Sequence, residues 1–297
     1  MTTVDQLWRQ RGNCLECAQV TRCSNLGMCL ENPTNAARLD SVTRAIEYMT
    51  AHFSEPQRLS DIAQAALLSP FHFHRVFRHV TSTTPARFLT ALRMARARSM
   101  LVNSNLSVTE VCLGVGYSGL GTFISQFTKL TGMSPRRFRS AMSVFGHIRL
   151  SELTDPAAER HFTPGPVGAV TGGPSTGGCA VLGLYRSEEP DDVPVTYGVL
   201  ETNRLSHFRP LADGAYHAVA LGFDNRSTLS DVLGDNGWQA QFVGTGDTPI
   251  VVRGGRTDRS FQIALRCPRP IDPPVQLTSA LLALAQRRQP PLLKTGS

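Results

Sequence analysis

The feature that most constrains this chain is a pattern written twice. Asp61, Ile62, Ala63, Ala66, Leu68 and Ser69 lead to Phe73, Phe77, Pro85 and Phe88. Glu110, Val111, Cys112, Val115, Tyr117 and Ser118 lead in the same order to Phe123, Phe127, Pro135 and Phe138. The offset is 49 residues up to the serines and 50 beyond them, so the second copy carries one extra residue in its turn. Each copy predicts two short helices around a tight turn. In the first, Ser69 can cap the second helix, and Pro70 takes the position where a missing N–H costs nothing. In the second, Ser107 and Glu110 make an S-x-x-E capping box, Gly132 stops a helix and Ser134-Pro135 opens another.

Within the first copy, Phe73, Val76, Phe77 and Val80 recur at helical spacing and are expected to face a core. Phe71, His74, Arg75 and Arg78 fall on the opposite face. A short helix with a buried aromatic stripe and an outward row of Arg and His suits a DNA major groove. Any amphipathic helix shows charges to water, so one copy alone would decide nothing; two copies with matched caps favour the DNA reading. The positions matching the first row are Gly121, Ile124, Ser125 and Thr128, none of them charged. The second helix is therefore expected to position more than it reads, through Thr122, Ser125 and Gln126, with Lys129 near the DNA backbone. His72, His74 and His79 do not share one helix face, which argues for surface or DNA-facing histidines over a metal site.

Charge follows the repeat. Of a net +7, residues 36–146 hold 13 Lys+Arg against 5 Asp+Glu, while residues 1–35 balance and residues 147–297 are slightly acidic. An excess confined to the repeat is the footprint of a polyanionic partner. The scarcity of lysine, Lys129 and Lys294 alone, extends through the chain and reads as coding bias. A length of 297 residues allows about two domains. No stretch of eighteen apolar residues predicts a membrane helix, and the N-terminus lacks a signal-peptide layout, so a cytoplasmic protein with reduced cysteines is expected. Cys14, Cys17, Cys23 and Cys29 can hold zinc or an iron–sulfur cluster, which would bring redox control. A disordered leader and a true start at Met28 are the competing accounts of that segment, and no other cofactor is expected.

The strings "LSDIAQAALLSPFHFHRVFRHVTSTTPARFL" and "LSVTEVCLGVGYSGLGTFISQFTKLTGMSPRRFR" resemble the paired helix-turn-helix signature of the AraC/XylS family of transcription regulators. The resemblance covers about residues 38–142, and its second-copy pattern G-Y-S-x5-F-x3-F-x7-P-x2-F is specific. It implies an N-terminal DNA-binding domain whose two recognition helices enter successive major grooves. They would be held apart by a linker helix from Pro85 to about Val102, roughly 27 Å long. The residues expected at DNA are Phe71, His74, Arg75, Arg78, Gly121, Thr122, Ser125, Gln126 and Lys129. Leu67 stands where the family favours glycine, and Ser125 where it usually carries arginine. The implied partners are promoter DNA, RNA polymerase if the chain activates, a small-molecule effector and a second copy in a homodimer, with no membrane.

The expected fold class is α plus β in two domains. A leader (1–35) precedes the all-α double helix-turn-helix domain (36–146), followed by a linker (147–178). A mainly antiparallel β-sandwich (179–271) and a C-terminal helix and tail (272–297) complete the chain. Short apolar runs at Val167–Thr171, Cys179–Tyr185, Val195–Leu200, Tyr216–Leu221, Trp238–Val243, Ile250–Arg253 and Phe261–Arg266 predict the strands. The stretch "SHFRPLADGAYHAVAL" is similar to the transthyretin-like carboxypeptidase-regulatory sandwich. Leu277, Leu281 and Leu284 mark the last helix. This C-terminal part is expected to fold alone and to sense an effector or dimerise. No catalytic constellation appears: Asp191-Asp192 sit in a Pro-flanked turn, "GGPSTGG" lacks a phosphate-loop spacing, and His207 and His217 have no nucleophile context. A DNA-binding regulator is thus favoured over three alternatives: a metal- or redox-sensing regulator, a DNA-repair alkyl acceptor, and a protein-interaction module.

Overall fold

The computed structural model describes residues 33–154, 165–173, 177–186, 194–208, 210–234, 242–246, 248–257, 259–272 and 277–288. The four N-terminal cysteines, Asp191-Asp192 and Trp238 lie outside these residues, as do Pro174, Ser175 and Thr176 of the glycine-rich "GGPSTGG" stretch.

The repeat folds as two matched helix pairs. Helix α1 (Pro33–Ala51) precedes α2 (Leu59–Ala65) and α3 (Pro70–Thr81); α4 (Pro85–Asn103) then leads to α5 (Val108–Gly114), α6 (Leu120–Thr131) and α7 (Pro135–Phe145). The extra residue of the second copy is Gly119, which becomes the N-cap of α6, whereas Ser69 occupies that place before α3. Ser69 makes no side-chain cap bond; Pro70, fixed at the first helical position, sets the start instead.

The aromatic residues explain why each pair holds its angle. Phe73 meets Phe77 at 5.4 Å between ring centres, and Phe77 meets Phe88 edge-on at 5.5 Å. Phe123, Phe127 and Phe138 repeat the chain at 5.8 and 5.6 Å. All six are fully buried, and such a ring contributes roughly 1.5–3 kcal/mol through removal from water. The hydroxyl of Thr81 is shared between the carbonyls of Phe77 (2.8 Å) and Thr83 (3.1 Å), and that of Thr131 between Phe127 (2.7 Å) and Met133 (2.9 Å). Each thus ties the last turn of its helix to the loop that follows. Left-handed Ser82 and Gly132 close α3 and α6.

The capping box before α5 forms as the sequence predicts. Ser107 N–H donates to Glu110 Oε2 at 2.7 Å, and Glu110 N–H donates to Ser107 Oγ at 3.2 Å. The bond from the Ser107 N–H, helped by the Ser107 hydroxyl, holds the Glu110 carboxyl below its usual range. A carboxyl depressed in the folded state stabilises above its unfolded pKa and loses that contribution as pH falls through the folded value. Glu110→Gln is therefore expected to lose less stability than the parent on acidification from about pH 5 to 3, measured by urea denaturation. Equal losses would show that the box carries no pH dependence.

Strands β1 (Val167–Thr171), β2 (Gly178–Tyr185), β3 (Thr196–Glu201), β4 (Leu205–His207), β5 (Gly214–Asp224), β6 (Phe242–Thr245), β7 (Ile250–Arg253), β8 (Arg256–Thr257) and β9 (Phe261–Ala264) form two sheets that share one core. One sheet runs β4-β1-β9 and the other β3-β2-β5-β7-β8, with β6 also on β5. The eleven residues of β5 carry β2 along one edge and share the other between β7 and β6. A Val243–Arg266 bridge ties the two sheets, giving one curled sheet around an apolar interior. Its pairs are antiparallel except β1 with β9.

β2 is buried at all eight positions because both its faces are covered. Ala180, Leu182 and Leu184 join the interior with Tyr216 and Ile263. Cys179, Val181 and Tyr185 join a second core with Phe123, Phe127 and Phe138, completed by Leu281 of α9 (Thr278–Arg288). Ile148, Leu150 and Leu153, in the stretch expected to be linker, are buried in that same core. One face of the sheet therefore packs on the helices, while the other encloses a core of its own. Alternating burial in β2 was hidden because each of its faces meets apolar side chains. Helix α8 (Leu229–Gly234) adds a contact with α4, where Asn103 Nδ2 donates to Gly234 O at 2.8 Å. No helix among the described residues is long and apolar enough to cross a membrane.

Candidate nucleic-acid interface

Helix α3 presents the outward row that its periodicity predicts. Phe71, His74, Arg75 and Arg78 are exposed, while Phe73, Val76, Phe77 and Val80 are buried beneath them. With Leu59, Pro70 and His79, the row lines an open surface groove of about 600 Å³. Phe71 is 83% exposed and Leu67, in the preceding turn, 76%. Apolar side chains so far out in water beside cations mark a contact surface.

Helix α6 is built on the same frame with a different face. Gly121, Thr122, Ser125 and Lys129 are exposed and Gln126 is half-buried. A Cβ on Gly121 would meet nothing within 4 Å, so the place matching Phe71 is open space. Lys129 lies in the last turn of α6, where a cation also complements the helix dipole. The two faces thus offer charge-assisted donors on α3 and mainly neutral hydroxyl and amide groups on α6.

The turns differ in one respect. Gly116 adopts φ 82°, and a Cβ there would sit 2.7 Å from the Ser54 carbonyl oxygen. Leu67, its counterpart, takes the same left-handed region at φ 57°. A branched residue pays about 1–2 kcal/mol there. Leu67→Gly is expected to raise stability by about 0.5–1 kcal/mol after the entropy of a freer unfolded chain is subtracted. An unchanged or lower melting temperature would count against this strain.

Not all the positive charge faces outward. Arg98 is 2% exposed, and burial lowers its pKa to about 10. Arg93 donates to the carbonyls of Phe53 and Glu55, both at 2.8 Å, and lies 5.7 Å over the Tyr117 ring. Burial lowers its pKa as well. Arg139 donates to the carbonyls of Leu101 and Leu106. Arg93 and Arg139 tie their helices to neighbouring carbonyls and Arg98 is buried, so the charge available for DNA is smaller than the sequence count.

Two exposed cations escaped the sequence reading. Arg87 and Arg137 sit in the first turns of α4 and α7, where their N–H groups are capped by Thr84 and Ser134. The repeated string [S/T]-P-x-R, at 84–87 and 134–137, is the signal that would have found them. A helix N-terminus beside a cation suits a phosphate. Among the described residues no group of three or more His, Cys, Asp or Glu can hold a metal ion.

Residues 62–141 match the family profile described as a helix-turn-helix domain. The chain is 32% identical over 109 residues to the bifunctional transcriptional activator/DNA repair enzyme AdaA of Bacillus subtilis, covering 36% of this chain and 52% of that protein. It is 32% identical over 124 residues to the transcriptional activator RhaS of Escherichia coli, covering 42% and 43%. It is 30% identical over 99 residues to the transcriptional regulator ArgR of Pseudomonas aeruginosa, covering 33% and 30%. Residues 62–141 are a helix-turn-helix domain. The chain spans about half or less of the length of these relatives.

Solved structures similar to this domain include an AraC-type transcriptional regulator from Chromobacterium violaceum, at 28% identity and TM-score 0.33, covering 37% of this chain and 95% of that one. Another is the DNA-binding domain of AdpA in complex with a target DNA, at 27% identity and TM-score 0.34, covering 35% and 95%. The expected N-terminal placement of the DNA-binding domain does not hold: the match sits mid-chain, with α1 before it and the curled sheet after it.

Proposed function

We propose that this chain is a sequence-specific DNA-binding transcription regulator that reads with α3 and positions with α6. The observation that carries the reading is the exposed row Phe71, His74, Arg75 and Arg78 on a helix held by buried aromatic rings. The same frame recurs 50 residues on without the charges. The 19 residues of α4 span about 28 Å, which suits two reading helices about one DNA turn apart. Arg75 can bridge O6 and N7 of a guanine, His74 adds a donor or acceptor, and Arg78 is placed for a phosphate.

In this reading Gly121, Thr122, Ser125 and Gln126 approach the second groove with short polar groups, and Lys129 takes a phosphate. The partner is promoter DNA, and RNA polymerase if the chain activates. The curled sheet senses a small-molecule effector or joins a second copy in a homodimer. No catalytic step belongs to this function, and the regulatory names of RhaS and ArgR support it.

Duplexes of about 30 base pairs, enriched from a random library by the full chain, test it by titration at several salt concentrations. Enriched duplexes should bind at least about 10³-fold more tightly than scrambled ones, with affinity falling steeply as salt rises. Equal binding of enriched and scrambled duplexes would overturn it.

A further inference from the structure

We propose that residues 266–272 and α9 form a brace that fixes the angle between the two helix-turn-helix units, and so the spacing of DNA half-sites that the chain accepts. The spacing clause rests on the two-unit DNA reading above; the mechanical clause does not.

The segment is anchored in the sheet at its start. Leu265 N–H donates to Thr171 O at 2.8 Å, and Arg266 exchanges both backbone bonds with Val243 at 2.8 and 2.9 Å. The loop that follows is closed on itself. Arg266 grips Asp272 through two bonds of 2.7 Å each, and Asp272 Oδ2 also accepts the Arg269 N–H at 2.7 Å. Arg266 Nη1 further donates to Cys267 O at 3.1 Å. A two-pronged guanidinium–carboxylate pair fixes direction as well as distance.

That clamp presents Ile271, 6% exposed, to the core of the first unit, among Val42, Phe73, Phe77 and Leu92. Ile271 is the only residue beyond α4 in that core among the described residues. A few residues on, Leu277, Leu281, Leu282 and Ala285 enter the core of the second unit with Phe123, Phe127 and Phe138. The fit against α6 is close: a Cβ on Gly132, which ends that helix, would lie 2.8 Å from Ser279 Cβ. One short segment leaving the sheet therefore seats side chains in both units.

Among the described residues the units also meet along α4 and at a seam where Phe53 packs against both cores. There Gly116 abuts Ser54, and Arg93 ties Phe53 and Glu55 beneath Tyr117. Two bodies joined along one helix and one seam can still rock about that line. A third tie off the line removes the motion. Rocking matters because each base pair added between half-sites rotates the second groove away from its reader.

The test uses the full chain with Ile271→Ala and, separately, Asp272→Asn, which unclamps the loop without opening a core. Binding is measured on the enriched duplex, on duplexes with one base pair inserted between half-sites, and on duplexes keeping only the first unit's half-site. The parent should lose about tenfold or more on insertion. Both variants should lose about tenfold on the enriched duplex, less than about threefold further on insertion, and almost nothing on the lone half-site. An insertion penalty equal to the parent's, or a lone half-site weakened as much as the full one, overturns the proposal.

Amide exchange without DNA decides the mechanical clause separately. Exchange at residues 53–55 and 116–117 should quicken in both variants while α3 and α6 stay protected. Unchanged exchange at that seam overturns the brace, whereas a parent chain that binds no duplex sinks only the DNA reading.

Discussion

Phe127→Ala is expected to destabilise the chain by about 3–5 kcal/mol, in one transition seen equally by helix and sheet signals. Phe127 is fully buried, lies tilted against Phe123 and edge-on to Phe138, and belongs to the core that also holds Cys179, Val181 and Tyr185 of β2. Removing the ring leaves a cavity that neither the helices nor the sheet can close alone. Equilibrium denaturation followed by far-ultraviolet circular dichroism and by amide exchange in β2 checks this. A helix transition that shifts while β2 protection stays unchanged would mean the two parts fold apart.

The second large effect lies at the surface. Arg75→Ala should cost about 1–3 kcal/mol on the specific site and relax sequence preference in one half of it. Arg75 is exposed at the centre of the α3 row, between His74 and Arg78. Ser125→Ala, at the matching place on α6, should cost about 1 kcal/mol or less, since a neutral hydrogen bond is all it can lose. Lys129→Ala should weaken every duplex similarly and flatten the salt slope by about one unit. Titrations on enriched duplexes and on duplexes with one scrambled half-site separate these effects. A larger loss of specificity from Ser125→Ala than from Arg75→Ala would assign the reading to the other helix.

The helical half was legible because its signals are local. Pro70, Pro85 and Pro135 start helices, Ser107 and Glu110 lock one, and Gly132 ends one, each within a few residues of the backbone it governs. The aromatic spacing then gave the buried face of α3 and α6 and, by exclusion, the exposed rows. Leu67 was recognised as anomalous, and its left-handed φ is the reason.

The C-terminal half was less legible because its determinants are distant in sequence. Most strands fell where apolar runs placed them, but the parallel pairing of β1 with β9 joins residues more than ninety positions apart. The sharing of one β5 edge by β6 and β7 likewise has no local mark. The same holds for three arginines: Arg93, Arg98 and Arg139 look like surface charge until the carbonyls beside Arg93 and Arg139 and the burial of Arg98 are seen. Ile271, one residue in a proline-flanked stretch, carried no periodic signal at all.

The most direct test of the DNA-reading account is guanine N7-methylation interference on the enriched duplex, run with the parent chain and with Arg75→Ala. The account predicts one guanine whose methylation blocks the parent and no longer matters to Arg75→Ala, with weaker interference in the other half-site. An interference pattern that is identical for the two proteins would contradict it.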